Sequence, residues 1–451
     1  MPARVDVVVI GGGIVGVCAA LFLVRKGLSV ALCEKGRIGA EQSGRNWGWC
    51  RQMGRDPLEL PLAMQSLALW RDPAALAGAD TGFRTTGILY LCSTEGEVGR
   101  HAAWLDSVRG SGVDSRLLSS REVAALLPDS ARKWAGALYT PSDGGAEPHK
   151  AAPAIATAAR QLGAVILTQC AVRGVETSAG RVHAAITERG AIRCDAVVLA
   201  AGAWSRLFCS NLGIDLPQMQ VMGSVARTQP LPGGPDVSLA GPKFGFRKRD
   251  DGGYTVSQAG ALLTDITPDS LRLAHTFAPA LRREWRNLRL RLGRRFFEEW
   301  RTPRRWRLDA PSPFEAIRVL DPVPSPGILD EARSQLIAAF PFFRGMVVQE
   351  SWGGIIDVTP DALPVIAMLK RPANFLIATG FSGHGFGVGP AAGRLVADLI
   401  GGDAPSADPA VFRLERFSKN QLSLMRQRGL PPAAGASSFA ASDKLLEQDT
   451  R

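Results

Sequence analysis

Three stretches of the chain repeat one hydrophobic pattern, a short apolar run that breaks into small residues and leads into a helix-length segment. Val5–Ile10, apolar but for Asp6, has the length and content of a strand buried on both faces. After Gly11-Gly12-Gly13, apolar residues run all along Ile14–Arg25, which predicts a helix, and Leu28–Cys33 predicts a second strand ending in Glu34. Cys194–Leu199 predicts a third, running into Ala200-Ala201-Gly202-Ala203-Trp204. Asn374–Thr379 predicts a fourth, followed by a loop dense in glycine and then a helix with Pro390 in its first turn and Gly401-Gly402 at its end. Elsewhere the period shortens to two. Leu216–Thr228 and Phe244–Ser257 alternate, and Asp250-Asp251-Gly252-Gly253 interrupts the latter as a hairpin turn would.

The first unit carries chemistry. Gly11, Gly13 and Gly16 fit G-x-G-x-x-G between a predicted strand and a predicted helix, the context in which that spacing binds a dinucleotide. Gly11 permits the tight turn, Gly13 lets the backbone approach a pyrophosphate, and Gly16 lets helix and strand pack closely. The helix N-terminus at Ile14 and Val15 offers free N–H groups and a positive dipole end to the phosphates. Glu34, followed by Lys35, stands where the motif places the acceptor for a ribose hydroxyl. In the C-terminal loop, Gly380, Gly383, Gly385 and Gly387 leave room for a flat ring system against the main chain, and the following helix points its positive end at that ring.

Together these segments resemble the FAD-dependent amine and amino-acid oxidoreductases of the D-amino-acid oxidase superfamily, which includes D-amino-acid dehydrogenases, glycine oxidases and sarcosine oxidases. Ser43-Gly44-Arg45-Asn46-Trp47-Gly48 is similar to the loop that crosses the flavin in that family. Trp352-Gly353-Gly354 and Thr359-Pro360-Asp361 are similar to its returning segment. The resemblance implies an α/β fold, α+β overall, with a Rossmann-like FAD-binding domain and a second, mainly antiparallel substrate domain. It implies FAD contacts from Gly11 to Gly16, Glu34, Lys35, Ser43, Arg45, Asn46, Trp47, Gly48, Val172, Ala201, Gly202, Trp204 and the loop Gly380–Gly387. It also implies discontinuous domains, with 1–85, 147–216 and 350–402 binding FAD, 86–146 and 217–349 covering it, and 403–451 forming a partly disordered tail.

Composition fits an enzyme of this kind. A chain of 451 residues exceeds what one core holds, and a hydrophobic content of 46% fills two. Seven cysteines, an odd number without C-x-x-C spacing, predict reduced thiols in the cytoplasm. A first strand at Val5 leaves no room for a signal peptide, and no apolar run approaches the roughly 18 residues that span a bilayer. The net charge of +11 is concentrated in 281–307, where Leu281, Trp285, Leu288, Leu292 and Phe296 fall at helical spacing among arginines. A helix packed on the substrate domain with a solvated basic face is the expectation, and peripheral contact with the inner membrane is the alternative. No recognition fold for nucleic acid accompanies the charge.

The expected chemistry is oxidation of a C–N bond by hydride transfer to flavin N5, followed by hydrolysis of the imine, with oxygen, a quinone or a carrier protein taking the electrons. Five histidines without metal-ligand spacing argue against a metalloenzyme, and His384 stands beside the expected ring. Many amino-acid-specific relatives carry an arginine just before Thr-Pro-Asp, but here Ile355-Ile356-Asp357-Val358 has none. Either Arg45, Arg51 or Arg247 grips a substrate carboxylate, or Asp357 attracts the cation of an amine that lacks one. The same stretch has no cysteine, so FAD is expected without a covalent link. A flavoenzyme of this fold acting on a C–OH bond, of the 2-hydroxy acid or glycerol phosphate type, and a flavoprotein subunit of a larger complex are the alternatives.

Overall fold

The structure is a computed structural model that describes residues 1–284 and 288–418. The apolar runs near the N-terminus form a parallel sheet. Arg4–Ile10 lies between Val30–Cys33 and the long strand Gly190–Leu199, and Val165–Leu167 extends the sheet beyond Val30–Cys33. The second half of Gly190–Leu199 also pairs in parallel with Phe375–Thr379, while its first half pairs with the antiparallel strand Arg181–Thr187. All five residues of Phe375–Thr379 are buried, because helices cover both faces where the strands are parallel.

One face is covered by the helices Ile14–Arg25, Pro148–Gln161 and Gly385–Gly401. The last of these begins five residues before Pro390, which sits inside it and not in its first turn as the pattern suggested. The glycines expected to be loop are wound into helix because they lie against other backbone and side chains. A Cβ on Gly387 would stand 3.0 Å from the Trp49 carbonyl oxygen, one on Gly389 would stand 2.8 Å from Ile14, and one on Gly393 would stand 2.5 Å from Cys18. Gly402 closes the helix in the left-handed conformation, φ +73°.

The second sheet is mainly antiparallel. Met219–Thr228 runs at its centre, flanked by Tyr254–Ser257 and, along ten registered pairs, by Val348–Val358. Val348–Val358, most of which was expected among the FAD-binding pieces, therefore belongs to this sheet. Phe244–Lys248 and Tyr254–Ser257 form the hairpin around Asp250-Asp251-Gly252-Gly253. Its core is aromatic, with Phe244, Phe246, Tyr254, Phe340 and Phe343 in mutual ring contact.

The stretch 281–307 is not one helix. A helix Ala274–Glu284 is followed by a strand Leu288–Arg291, parallel to Leu262–Asp265, and by a short helix Arg294–Arg301. The sheet edge and the Arg291–Asp265 pair, with Nε 2.7 Å from the carboxylate, outweigh helical periodicity here. Trp285 lies outside the described residues, as does the tail after Ser418. All seven cysteines are unpaired and buried. Among the described residues no helix is long and apolar enough to cross a membrane.

A buried ion pair joins the two sheets. Glu147 precedes the helix Pro148–Gln161 under the first sheet, and Arg247 projects from Phe244–Lys248 in the second. The two meet in a fork, Nη1 to Oε1 at 2.7 Å and Nη2 to Oε2 at 3.0 Å, while Arg247 Nε donates to the Trp47 carbonyl at 2.8 Å. Burial pushes the Glu147 carboxyl up, but hydrogen bonds from Arg247 and the charges of Arg247 and Arg249 hold it below its usual range. Arg247 is therefore consumed by Glu147 and is not the carboxylate grip expected of it. Arg247→Ala should lower unfolding free energy by about 3–5 kcal/mol, since it strands Glu147 without its partner. Denaturant titration checks this, and a loss under about 1 kcal/mol, typical of an exposed pair, would contradict it.

Candidate active site

A cleft of about 150 Å³ opens at the C-terminal ends of the parallel strands, bounded by Gly11, Gly13, Ile14, Glu34, Ala200 and Gly202. Gly11 is left-handed, φ +109°, and a Cβ there would stand 2.4 Å from the Ala200 carbonyl oxygen. A Cβ on Gly16 would meet the Gly11 carbonyl oxygen at 2.0 Å, so the first helix rests directly on the turn. That helix has no side-chain cap and no acid in its first turn, and the Ser43 hydroxyl accepts the Ile14 N–H at 2.9 Å. Glu34 accepts the N–H groups of Gly12 and Gly36 at 2.7 and 2.6 Å, and burial raises its carboxyl pKa. Lys35, Val172, Ala201 and Trp204 complete the wall, with the Lys35 ammonium 4.3 Å from the Trp204 ring centre.

The cleft continues past Gln42, Asn46, Gly383 and Phe386 into a cavity of about 440 Å³. Its walls are apolar for the most part, with Met219, Val221, Val225, Phe277 and Ile356 among them. Buried polar atoms that line it and lack a hydrogen-bond partner among the described residues include Trp49 Nε1, Arg55 Nη1, Gln42 Oε1, Gln258 Oε1, Thr264 Oγ1 and His384 Nε2. Arg51 also faces it, with its guanidinium 5.6 Å from the Tyr90 ring centre and donating to the Met53 carbonyl. Burial and the neighbouring Arg51 bring Arg55 down to about 10, which leaves it cationic at neutral pH. Burial and Arg55 bring His384 down to about 4, so its imidazole is neutral there.

The expected site residues divide by position. Gly11, Gly13, Ile14, Val15, Glu34, Lys35, Ser43, Asn46, Val172, Ala201, Gly202, Trp204, Gly383 and Gly385 line the first cavity, and Arg45, Asn46, Trp47, Arg51, Gly383 and His384 line the second. Gly16, Gly48, Gly380 and Gly387 line neither and serve close packing. A Cβ on Gly48 would stand 2.3 Å from the Ala146 carbonyl oxygen, and one on Gly380 would stand 2.4 Å from Thr359. Asp357 does not face a substrate. In Val348–Val358 side chains alternate, so Gly354, Ile356 and Val358 reach the second cavity while Ile355 and Asp357 turn toward the first. There the Asp357 carboxylate accepts from Gln218, Thr379 and the Gly380 N–H at 2.9, 3.1 and 2.7 Å. Arg45 is likewise engaged, by Asp321, Ala40 and Gly353. Trp49, Arg55, Glu59 and Gln258 were not singled out in the sequence. Arg51, Arg55 and Glu59 fall four apart, but 51–59 is turn and coil, so helical spacing does not bring them together.

The FAD dependent oxidoreductase family, DAO, matches residues 6–399. The chain belongs to this family. It is similar to the L-amino acid deaminase of Proteus myxofaciens, solved with anthranilate, at 34% identity, covering 93% of this chain and 95% of that one with a TM-score of 0.90. It is 26% identical to a sarcosine oxidase subunit beta of an Arthrobacter species, over 92% of each chain. It is also 26% identical to a 4-methylaminobutanoate oxidase (formaldehyde-forming) of Paenarthrobacter nicotinovorans, over 93% of this chain, which spans 46% of that protein's length. Rossmann-like FAD binding in an α/β scaffold is thus the frame of both cavities.

The first cavity fits FAD. Gly13 leaves its backbone open, with only the Ser43 hydroxyl 3.0 Å from where a Cβ would be, Glu34 stands at the ribose position, and the buried Gln42 Oε1, which lines both cavities, lacks a partner among the described residues. A segment that the sequence did not mark covers the end of the cleft lined by Glu34, Lys35 and Trp204. Phe314 lines the cleft and packs edge-on against Trp204, with ring centres 5.9 Å apart. The segment is tied down by a fork from Arg173 to Glu315, both bonds 2.9 Å, by Arg318 on Glu188, and by Lys35 on the Ile317 carbonyl at 2.9 Å. The Arg173 bonds hold the Glu315 carboxyl down to about 2, so the fork persists throughout the neutral range. Glu315→Gln should speed FAD release at least about two- to fivefold, since this partly buried pair, with 15% of each side chain exposed, is worth no less than an exposed one. Recovery of flavin fluorescence on dilution measures it, and an unchanged rate would mean that the segment does not retain the cofactor.

Proposed function

We propose that this chain oxidises the Cα–N bond of an α-amino acid with an apolar side chain, using FAD held without a covalent link. The observation that carries this proposal is how the second cavity's polar atoms are divided. Donors come from Arg51, Arg55 and Trp49, acceptors are Gln42 Oε1, Gln258 Oε1, Thr264 Oγ1 and, when it carries no proton, His384 Nε2, and most of the remaining wall is apolar. A carboxylate needs donors, an amine needs acceptors for its N–H groups, and an aliphatic or aromatic side chain fills the rest. With Asp357 turned away, no free carboxylate waits for a lone cation, which weighs against an amine without a carboxylate. Similarity to the L-amino acid deaminase supports this substrate class and makes L-amino acids the first to test.

Bound FAD supplies the two-electron acceptor for the hydride on Cα. The chain supplies orientation. The arginines and His384, of which Arg55 and His384 meet around Glu59, fix the carboxylate and nitrogen of the substrate, and so the direction of the Cα–H bond. The apolar wall keeps bulk water away until the imino acid is released to hydrolysis, giving a 2-oxo acid and ammonia. Oxygen, a quinone or a carrier protein then takes the electrons. Arg51→Met should raise the amino-acid concentration for half-maximal anaerobic flavin reduction about 10- to 100-fold, from a lost charged hydrogen bond. Asp357→Asn should change it far less. Unchanged binding in Arg51→Met, or turnover without ammonia, would remove this function.

A cytoplasmic chain resting on the inner membrane is supported by one surface. Leu290, Leu292, Phe297 and Trp300 are 58–70% exposed, among the exposed side chains of Arg289 and Arg294. Apolar and aromatic groups beside arginines suit an anionic bilayer, and here Arg289 and Arg294 also pair with Glu331 and Glu298. Co-sedimentation with vesicles containing phosphatidylglycerol should be lost in Phe297→Ser/Trp300→Ser. Equal sedimentation would leave the surface to solvent.

A further inference from the structure

An imidazole accepts a hydrogen bond only at the nitrogen that carries no proton, so the tautomer of His384 decides what the second cavity can bind. His384 Nδ1 stands 2.9 Å from Glu59 Oε2, and both side chains are buried. Glu59 immediately precedes the helix Leu60–Arg71, and it does not line either cavity. Arg55 Nη1 lies 3.9 Å from the same Oε2, within ion-pair range but beyond a hydrogen bond. Burial would push the Glu59 carboxyl up, but His384 and Arg55 hold it below its usual range. An ionised carboxylate has no proton to give, so the bond at Nδ1 must be donated by the imidazole. The other nitrogen, Nε2, has no partner among the described residues.

We propose that Glu59 is a positioning residue that keeps the His384 proton on Nδ1 and thereby presents Nε2 to the substrate nitrogen as an acceptor. This rests on the amino-acid oxidation proposed above. The wrong tautomer would turn an N–H of His384 against the N–H groups of the substrate, leaving both buried donors unpaired. Glu59 also balances one of the two arginine charges, so that the cavity accepts one carboxylate.

The test reads tautomer and affinity separately. In the holoenzyme labelled with 15N-histidine, the His384 signal is assigned by its loss in His384→Gln, and its shift at pH 7 reports which nitrogen is protonated. Protonation on Nδ1 is expected in the unaltered protein, and protonation on Nε2 or on both would overturn the proposal. This measurement needs no substrate, so it stands apart from whether any amino acid reduces the flavin. Glu59→Leu removes the acceptor. It should move the proton to Nε2 and raise the amino-acid concentration for half-maximal flavin reduction about tenfold or more, with FAD content unchanged. Glu59→Gln retains an oxygen and should rescue both properties together. A variant in which tautomer changes without affinity, or affinity without tautomer, would overturn the proposal.

Discussion

A methyl group at position 16 would overlap the carbonyl oxygen of Gly11, and one at position 393 would overlap Cys18 and the Ala19 nitrogen. These contacts set how near the first helix comes to its turn and how near the C-terminal helix comes to the first. Everything functional depends on that closeness. It brings the amino end of Ile14–Arg25 to the floor of the cleft and places the amino end of Gly385–Gly401 against Trp49, Cys50 and Arg51. Two helix N-termini then face one continuous space, favourable for a phosphate-bearing cofactor and for negative charge on its ring.

The second constraint is the two-residue period of Val348–Val358. This strand stands between the cavities and gives one face to each. Gly354 is flat enough to let Gln42 and Arg45 approach, Ile356 offers hydrocarbon to the substrate side, and Asp357 is turned inward to tie Gln218, Thr379 and Gly380 together. Asp357 thus lines the first cavity and not the second, and holds Gln218, Thr379 and Gly380 there. Arg247 too was an attractive carboxylate fork, but Glu147 and the Trp47 carbonyl occupy it.

Burial decides the electrostatics of the substrate cavity. Arg55, Glu59 and His384 are all hidden from solvent, so each must be satisfied by the others or by a ligand. Glu59 stands 2.9 Å from the imidazole Nδ1 and 3.9 Å from Arg55 Nη1, while Arg55 Nη1 and His384 Nε2, without partners among the described residues, belong to residues that line the cavity. Polar atoms left in this way cost stability in the empty protein and become specificity when a substrate of matching donors and acceptors arrives. The apolar surroundings strengthen those interactions by excluding water.

The parallel strands, the helix Ile14–Arg25, Glu34 at its strand end and the hairpin around Gly252 were legible because each is coded locally, by periodicity and by glycines within a short span. The resemblance of the glycine loops extended this to the family and to FAD. Local pattern failed where a partner distant in sequence intervened. Pro390 suggested a helix start, but contacts with Trp49 and Ile14 made the preceding glycines helical. The period of 281–307 suggested one helix, and pairing with Leu262–Asp265 made part of it a strand. Which arginine meets the substrate, and which is spent on a neighbour, could not be read from the residues near Thr359. It depends on carboxylates 100 positions away in the case of Arg247 and on burial for Arg55, and side-chain partners become known only when the chain folds back on itself. The sequence by itself, through its glycine motifs and the family they resemble, therefore determined the cofactor and the scaffold, and the tertiary structure decided which side chains line the second cavity, because charge and hydrogen bonding depend on distance in space and not along the chain.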